Sequence, residues 1–343
     1  MKKSLIILLV WAPLLAIILV GARVYYAAEV WRYQGANREF MILPGENFSG
    51  INGRLAKQEL ISSPRLFYRY AQFRGYLNKL RTGRFLIKNN SNMMDVFNTL
   101  LNEKSIASLF TIPEGKNIYE IAQMLEDQEF AKAKDFLAVV KNKNFLREQG
   151  INAETAEGYL YPESYDFTFV KDAKEIAKTM IRQFHKKIAT LDFSRTSFSP
   201  KEILILASMI EKETGDKKER NMIAGVFHNR LKIHMRLQSD PTTIYGIFER
   251  YKGNITKQDL LTPSDYNTYT LKALPKGPIS NPGIDAIKAA LNPAEHKYLF
   301  FVSQNDGTHV FSENYGAHNQ AVKKWQLNAK NREGKSWRNH KDN

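Results

Sequence analysis

The chain of 343 residues contains no cysteine. That absence excludes disulfides, a thiolate nucleophile, a cysteine metal site and an N-terminal lipid carried on cysteine. Histidine is scarce, and the spacing of His228, His234, His296, His309 and His318 fits no recognised zinc pattern. No metal and no other cofactor is expected; His309, in the strand-like Thr308–Phe311, belongs to core or surface before it belongs to a cleft. Acidic residues are outnumbered, 35 against 50 Lys and Arg, for a net charge of +15. Such a balance suits anionic neighbours, such as phospholipid head groups or a carboxylate-rich polymer. Outside a tail from Lys323 to Lys341 that reads as disordered, the basic residues are scattered.

Long apolar runs are confined to the front of the chain. Lys2 and Lys3 precede an uncharged run from Leu5 to Ala22, and Arg23 follows it. At about 1.5 Å per residue the run reaches nearly across a bilayer core of roughly 30 Å. The two lysines favour a cytoplasmic N-terminus, with the remainder of the chain outside. Tyr26-Ala27-Ala28 offers a site for a signal peptidase, but the apolar core is long for a signal peptide and Arg23 precedes the cut. A retained single-pass anchor is therefore expected, and it places the chain on the wrong side of the membrane for nucleic acid.

Two segments about seventy residues apart resemble one another. Ile42-Leu-Pro-Gly-Glu-Asn-Phe-Ser-Gly-Ile51 runs on to Leu55, and Ile112-Pro-Glu-Gly-Lys-Asn-Ile-Tyr-Glu-Ile121 runs on to Leu125. Each reads as a short strand, a Gly turn, a capping Asn and an amphipathic helix. The second resembles a LysM motif, a βααβ module that binds N-acetylglucosamine polymers; a purely structural strand–turn–helix reads equally well. Pro64 opens a further helix and Thr82–Ile87 reads as a strand. The expected fold class is α+β: a transmembrane anchor and cytoplasmic tip over 1–29, an α+β region over 30–155 with the LysM-like part at about 108–155, an α+β domain carrying the chemistry over 156–330, and a basic tail over 331–343.

The chemistry is expected between Ser199 and Gly215. Ser199 is a good N-cap, Pro200 suits the first helical position, and Gly215 can end the helix in a left-handed conformation. Ile203, Leu206, Met209 and Ile210 share one apolar stripe. Glu213 returns to within ~20° of Leu206, whereas Glu211 lies on the order of 140° away, beside Leu204 and Ser208. A carboxyl on an apolar stripe loses solvation, and its pKa rises toward the value a general acid needs near neutral pH. The bland alternative is that Glu213 merely reaches water at the helix end or pairs with Lys217.

Several motifs follow in order: Gly158-Tyr-Leu-Tyr-Pro162, Leu206-Ala-Ser-Met-Ile-Glu-Lys-Glu-Thr214, Ile223-Ala-Gly-Val-Phe-His-Asn-Arg-Leu231, Met235-Arg-Leu-Gln-Ser-Asp-Pro-Thr242, Tyr266-Asn-Thr-Tyr269 and Leu274-Pro-Lys-Gly-Pro-Ile-Ser-Asn-Pro-Gly283. Together they resemble the endolytic murein transglycosylase family (MltG, or YceG-like) over roughly Glu157 to His318. The resemblance implies a bacterial inner-membrane enzyme, a lyase with its catalytic part on the extracytoplasmic side. It would cut the β-1,4 bond between N-acetylmuramic acid and N-acetylglucosamine within a strand, leave a 1,6-anhydro end, and so end strand elongation. It also implies peptidoglycan glycan strands as substrate and a peptidoglycan synthase as a plausible neighbour. The family's essential glutamate falls on Glu213, with Glu211 as runner-up. Gln238, Asp240, Tyr266, Asn267, Thr268 and Tyr269 fall in its substrate-binding segments, although Asp240 could simply cap a turn before Pro241, and Tyr266 and Tyr269 could pack. Asn281-Pro-Gly283 reads as a structural turn. Two other functions stay open: a hydrolytic muramidase using Asp240 or Glu211 to direct water, and a tethered wall-binding protein without catalysis.

Overall fold

The computed structural model describes residues 2–106, 109–170, 172–194, 196–328 and 331. The disorder expected from Lys323 does not begin there, since Lys323–Leu327 forms a π-helical turn in which Gln326 Nε2 donates to Ser303 O at 2.7 Å; apart from Asn331, the basic tail over 331–343 lies outside the described residues. The chain divides into two compact units, Met1–Leu109 with Asp166–Phe169, and Phe110–Tyr165 with Val170–Asn343.

The first unit opens with helix α1 (Lys2–Tyr25) and a π-helical turn, Tyr26–Val30. The stretch Trp11–Val30 is long and apolar enough to cross a membrane, and none of it is buried within the protein. Strand β1 (Arg38–Ile42), helices α2 (Phe48–Lys57) and α3 (Pro64–Arg74), strand β2 (Gly83–Ile87) and helix α4 (Met93–Asn102) follow. β1 and β2 pair antiparallel with Phe40 opposite Phe85, so both rings point to the same buried side. Phe67 stacks on Phe97 with ring centroids 3.9 Å apart, and Phe48 covers its other side.

The second unit carries β3 (Leu109–Thr111) from Phe110 on, α5 (Ile118–Asp127), α6 (Ala133–Val140), α7 (Lys143–Glu148), β4 (Ser164–Asp166) up to Tyr165, and α8 (Ala173–Ile188). It continues with α9 (Pro200–Glu213), α10 (Arg220–Lys232), α11 (Asp240–Gly246), α12 (Lys257–Leu261), α13 (Ile284–Leu291), the hairpin β5 (Phe300–Ser303) and β6 (His309–Ser312), and α14 (Tyr315–Val322). The fold is thus mixed helix with small two-stranded sheets, in line with the α+β expectation.

The segment from 110 to 155, grouped in the sequence with the N-terminal region, belongs to this second unit. Its turn is tied in by backbone bonds from Gly115 N to Asn281 O and from Asn281 N to Lys116 O, both 2.9 Å. Three helices separate β3 from β4, one more than a βααβ module has; the βααβ order occurs instead over Arg38–Ile87. The two matched turns prove to be two of three. Phe40, Phe85 and Phe110 are each followed five residues later by a residue at positive φ: Gly45, Asn90 and Gly115. Two residues further on, Asn47, Asn92 and Asn117 cap α2, α4 and α5 through their side chains. The middle copy is disguised because Asn90 occupies the left-handed position usually left to glycine.

Candidate active site

Helix α9 begins as its sequence dictates. The Ser199 hydroxyl accepts from Glu202 N, Glu202 accepts from Ser199 N at 2.8 Å, and Pro200 sits where no amide is needed. Every residue from Ile203 to Ile210 is buried, because α9 packs against α13 and α10 on different sides. The single apolar stripe is therefore a full apolar cylinder, and the angular argument does not separate the two glutamates. The helix also ends one residue before the expected turn. Thr214 is extended, its hydroxyl accepts from Asp216 N at 2.9 Å, and Gly215 does not adopt positive φ.

What distinguishes the glutamates is their partners. Glu211, with its side chain 5% exposed, has both oxygens engaged. Oε1 accepts from Arg220 Nη2 at 2.7 Å and Oε2 from Gly283 N at 3.0 Å. Lys212 Nζ donates to Gly115 O at 3.2 Å. Glu213 is partly buried, its Oε1 accepts from the Ser239 hydroxyl, and its Oε2 has no hydrogen-bond partner among the described residues. Lys217 pairs with Asp285 at 3.5 Å and not with Glu213. The last turn of α9 is thus fixed by its neighbours on either side while one oxygen of Glu213 stays available.

Burial pushes the Glu213 carboxyl up to about 7; the Ser239 hydroxyl opposes the rise, the charge of Asp240 adds to it, and Arg230 opposes it. Arg230 is itself buried and spends its donors on carbonyls, Nε on Leu299 O and Nη1 on Leu237 O, both at 2.6 Å. It acts on Glu213 through its field without a salt bridge. The carboxyl is therefore poised to give up a proton near neutrality and take it back.

The loop that delivers Ser239 is held from beneath by two residues expected to touch substrate. Thr268 is fully buried: its carbonyl accepts from Gln238 N at 3.2 Å, and its hydroxyl accepts from Ser239 N at 3.0 Å and meets the Thr242 hydroxyl at 2.8 Å. Asn267, 2% exposed, donates to the carbonyls of Asp259, Leu260 and Thr262 and accepts from the Thr243 hydroxyl and Tyr269 N. Their polar atoms are spent inside the protein, so both support the site instead of lining it. Asp240 and Gln238 are exposed, and Gln238 adopts φ +48°, a strained value that turns the loop at this point. The Tyr269 hydroxyl donates to Asp240 Oδ1 at 2.6 Å, and burial, then this bond, raises its pKa so that it remains a donor. Tyr266 points elsewhere: it packs on Tyr245 and lines a separate cavity of about 390 Å³ beside Glu157.

Ser239 and Arg230 were passed over in the sequence although both lie inside the quoted motifs; Ser239, flanked by two candidate polar residues, carried a readable signal. Glu157 was also missed. It is 1% exposed, accepts from Ile118 N at 3.0 Å and Asn281 Nδ2 at 2.8 Å, and burial raises it to about 8. Asn281 also accepts from Leu160 N at 2.9 Å, in keeping with a structural turn. The His309 side chain is 9% exposed, and its Nδ1 meets Glu219 Oε2 at 2.7 Å. Among the described residues, no group of three or more His, Asp and Glu converges as a metal site would require.

Residues 40–324 match the profile of the YceG-like family. An endolytic murein transglycosylase of Bacillus subtilis (strain 168) is 30% identical over 305 residues, covering 84% of this chain and 84% of the relative. A protein of the same description from Streptococcus pneumoniae serotype 2 is 25% identical over 311 residues, covering 81% of this chain and 56% of that protein. The crystal structure of a YceG-like protein of Listeria monocytogenes superposes with a TM-score of 0.59 at 29% identity, covering 83% of this chain and 99% of that one.

Proposed function

The chain belongs to the YceG-like family, and from that premise we propose that it is a membrane-anchored endolytic murein transglycosylase with Glu213 as its acid and base. It would be a lyase acting on peptidoglycan, cutting the β-1,4 bond between N-acetylmuramic acid and N-acetylglucosamine inside a strand. The observation that carries this reading is a single carboxyl raised to about 7, held at one oxygen by Ser239 and open at the other.

One carboxyl suffices for this reaction. Protonated Glu213 delivers its proton to the departing glycosidic oxygen as the sugar gains oxocarbenium character. The carboxylate left behind then takes the proton of the muramyl C6 hydroxyl, whose oxygen attacks its own anomeric carbon. The ring closes to the 1,6-anhydro product, and the attack is intramolecular, so proximity replaces a bound water. Asp240, whose charge acts on Glu213, its partner Tyr269 and the exposed Gln238 would receive sugar hydroxyls and acetamides. The LysM-like role expected of 108–155 is not carried into this proposal, because three helices, not two, separate β3 from β4.

With α1 crossing the cytoplasmic membrane and the catalytic unit on its outer side, Glu213 would meet nascent strands, beside a peptidoglycan synthase, and cleavage there would end elongation. A hydrolytic alternative keeps one observation in its favour: Asp240 acts electrostatically on Glu213 and could direct a water. Glu211 cannot, because both its oxygens are occupied. Mass spectrometry of peptidoglycan digested by the wild type, Glu213→Gln and Glu211→Gln tests the proposal. Anhydro-muramyl products lost only with Glu213→Gln are expected. Reducing ends would make the enzyme a hydrolase, and no products from any version would leave a tethered binder.

A further inference from the structure

Between Glu59 and Asp95 the chain has no acidic residue and seven basic ones. Among the described residues, Arg84 alone of these reaches a carboxylate, that of Glu39. Arg65, Arg69, Arg74, Lys79, Arg81 and Lys88 are exposed and form no ion pair among the described residues. The first two lie on α3 at i and i+4, and Phe73 at i+8 continues their stripe. Phe73 is 86% exposed, while Phe67 and Ala71 on the opposite side of the same helix are fully buried. An aromatic ring at the end of an arginine stripe has no packing role within the unit. It has the composition of a helix that lies in a lipid–water interface.

Its position in the unit points to the same partner. The apolar stretch ends at Val30, and the residues just before that point are bonded into the folded body without a loose linker. The Ser62 hydroxyl donates to Ala27 O at 2.7 Å, Asn92 Nδ2 donates to Glu29 Oε2 at 3.2 Å, and Ala28 and Trp31 pack on the core. Helix α3 starts at Pro64, two residues after that first contact, so it begins where α1 would leave the bilayer. Its 11 residues extend about 16 Å, comparable to one head-group layer plus a Debye length.

We infer that the Arg65–Arg69–Phe73 stripe of α3 is a second membrane contact, docking on anionic phospholipid head groups with Phe73 inserted among them. The inference rests on α1 spanning the membrane and is independent of the role given to Glu213. Charge attraction supplies the arginine part, and burial of the ring the rest. Together they hold the first unit down against the bilayer, where α1 alone would leave it free to rotate about the helix axis.

Because the chain has no cysteine, an introduced one is unique. The full chain carrying Gln72→Cys, labelled with a small fluorophore, is placed in nanodiscs whose lipids bear nitroxide on the head group. Quenching is expected in discs containing phosphatidylglycerol and weak in phosphatidylcholine alone. Adding Arg65→Gln or Arg69→Gln should lower the docked-to-free ratio about fivefold for each arginine, and Phe73→Ser should lower it further. Equal quenching in both lipids, or no response to the arginine variants, overturns the inference. So does protection that appears only when soluble peptidoglycan fragments are added, which would give the stripe to the wall polymer. A label at Ile18→Cys, read against nitroxide on the acyl chains, checks the premise separately: without quenching there, the spanning reading itself fails.

Discussion

Replacing Glu213 by Gln should stabilise the protein in alkali while it destroys activity. Burial raises the carboxyl from an ordinary 4.5 to about 7. Between those two values the unfolded chain releases this proton and the folded one keeps it, so wild-type stability falls as pH rises. Above about 7 both states are ionised and the loss is complete, at roughly 3 kcal/mol for a cost of about 1.4 kcal/mol per pH unit. The amide has nearly the same shape, still accepts from Ser239 and never ionises. Urea denaturation of the full chain in detergent, wild type beside Glu213→Gln, should give nearly equal stabilities at pH 4.5 and a lead for the variant of up to about 3 kcal/mol at pH 9. Glu157 titrates in both proteins and cancels from the difference. Strand cleavage should meanwhile fall about 10²–10⁴-fold in the variant, and in the wild type should decline as pH rises through about 7. A difference in stability that is the same at both pH values would refute the reasoning, because the carboxyl would then carry no burial penalty of its own.

Four further outcomes follow from contacts elsewhere in the catalytic unit. Glu211→Gln leaves Arg220, whose side chain is 4% exposed, without its closest carboxylate but still beside Glu114 at 3.3 Å and Asp285 at 3.9 Å; a loss of about 1–3 kcal/mol is expected by denaturation, with anhydro products still formed by the folded fraction. Glu157→Ala strands Ile118 N and Asn281 Nδ2 and should cost about 1–3 kcal/mol for each buried donor. Glu157→Gln keeps one acceptor and turns its NH2 on the other donor, so it should lose about 1–3 kcal/mol in mild acid, and the deficit should shrink toward pH 9 as the raised acid of the wild type loses stability from pH 4.5 through about 8. Gly225→Ala, in the interior of α10, would normally gain about 1 kcal/mol of helix propensity. Here a Cβ would come within 2.4 Å of His296 Nε2 and 2.5 Å of the Ala294 carbonyl, so a net loss of about 1–3 kcal/mol is expected in the same assay.

Local chemistry was readable from the sequence because its causes lie within a few residues. Ser199 and Pro200 start α9, Pro64 starts α3, and Asn47 and Asn117 cap their helices, all through bonds that span four residues or fewer. The apolar run at the front needs no partner to be recognised. Glu213 was reached by periodicity and by motif, yet the periodicity was only half sound: α9 is buried on all sides, and nothing in its own sequence says that α10 and α13 cover the second side. The middle strand–turn–helix escaped notice because an asparagine, at Asn90, can take the left-handed conformation that a glycine advertises.

Tertiary structure alone decided the roles of the polar residues, because a role depends on which atoms are already engaged. Asn267 and Thr268 look from the sequence like sugar ligands and are exhausted by internal hydrogen bonds. Glu211 and Glu213 differ by two positions in one helix, and their separate roles depend on Arg220, Gly283 and Ser239, which lie between nine and seventy-two residues away along the chain. Sequence alone determined that a carboxyl would sit at the end of a helix with an apolar face. Which carboxyl keeps an oxygen free, and how far burial raises its pKa, depends on desolvation by distant segments that only the folded chain brings together.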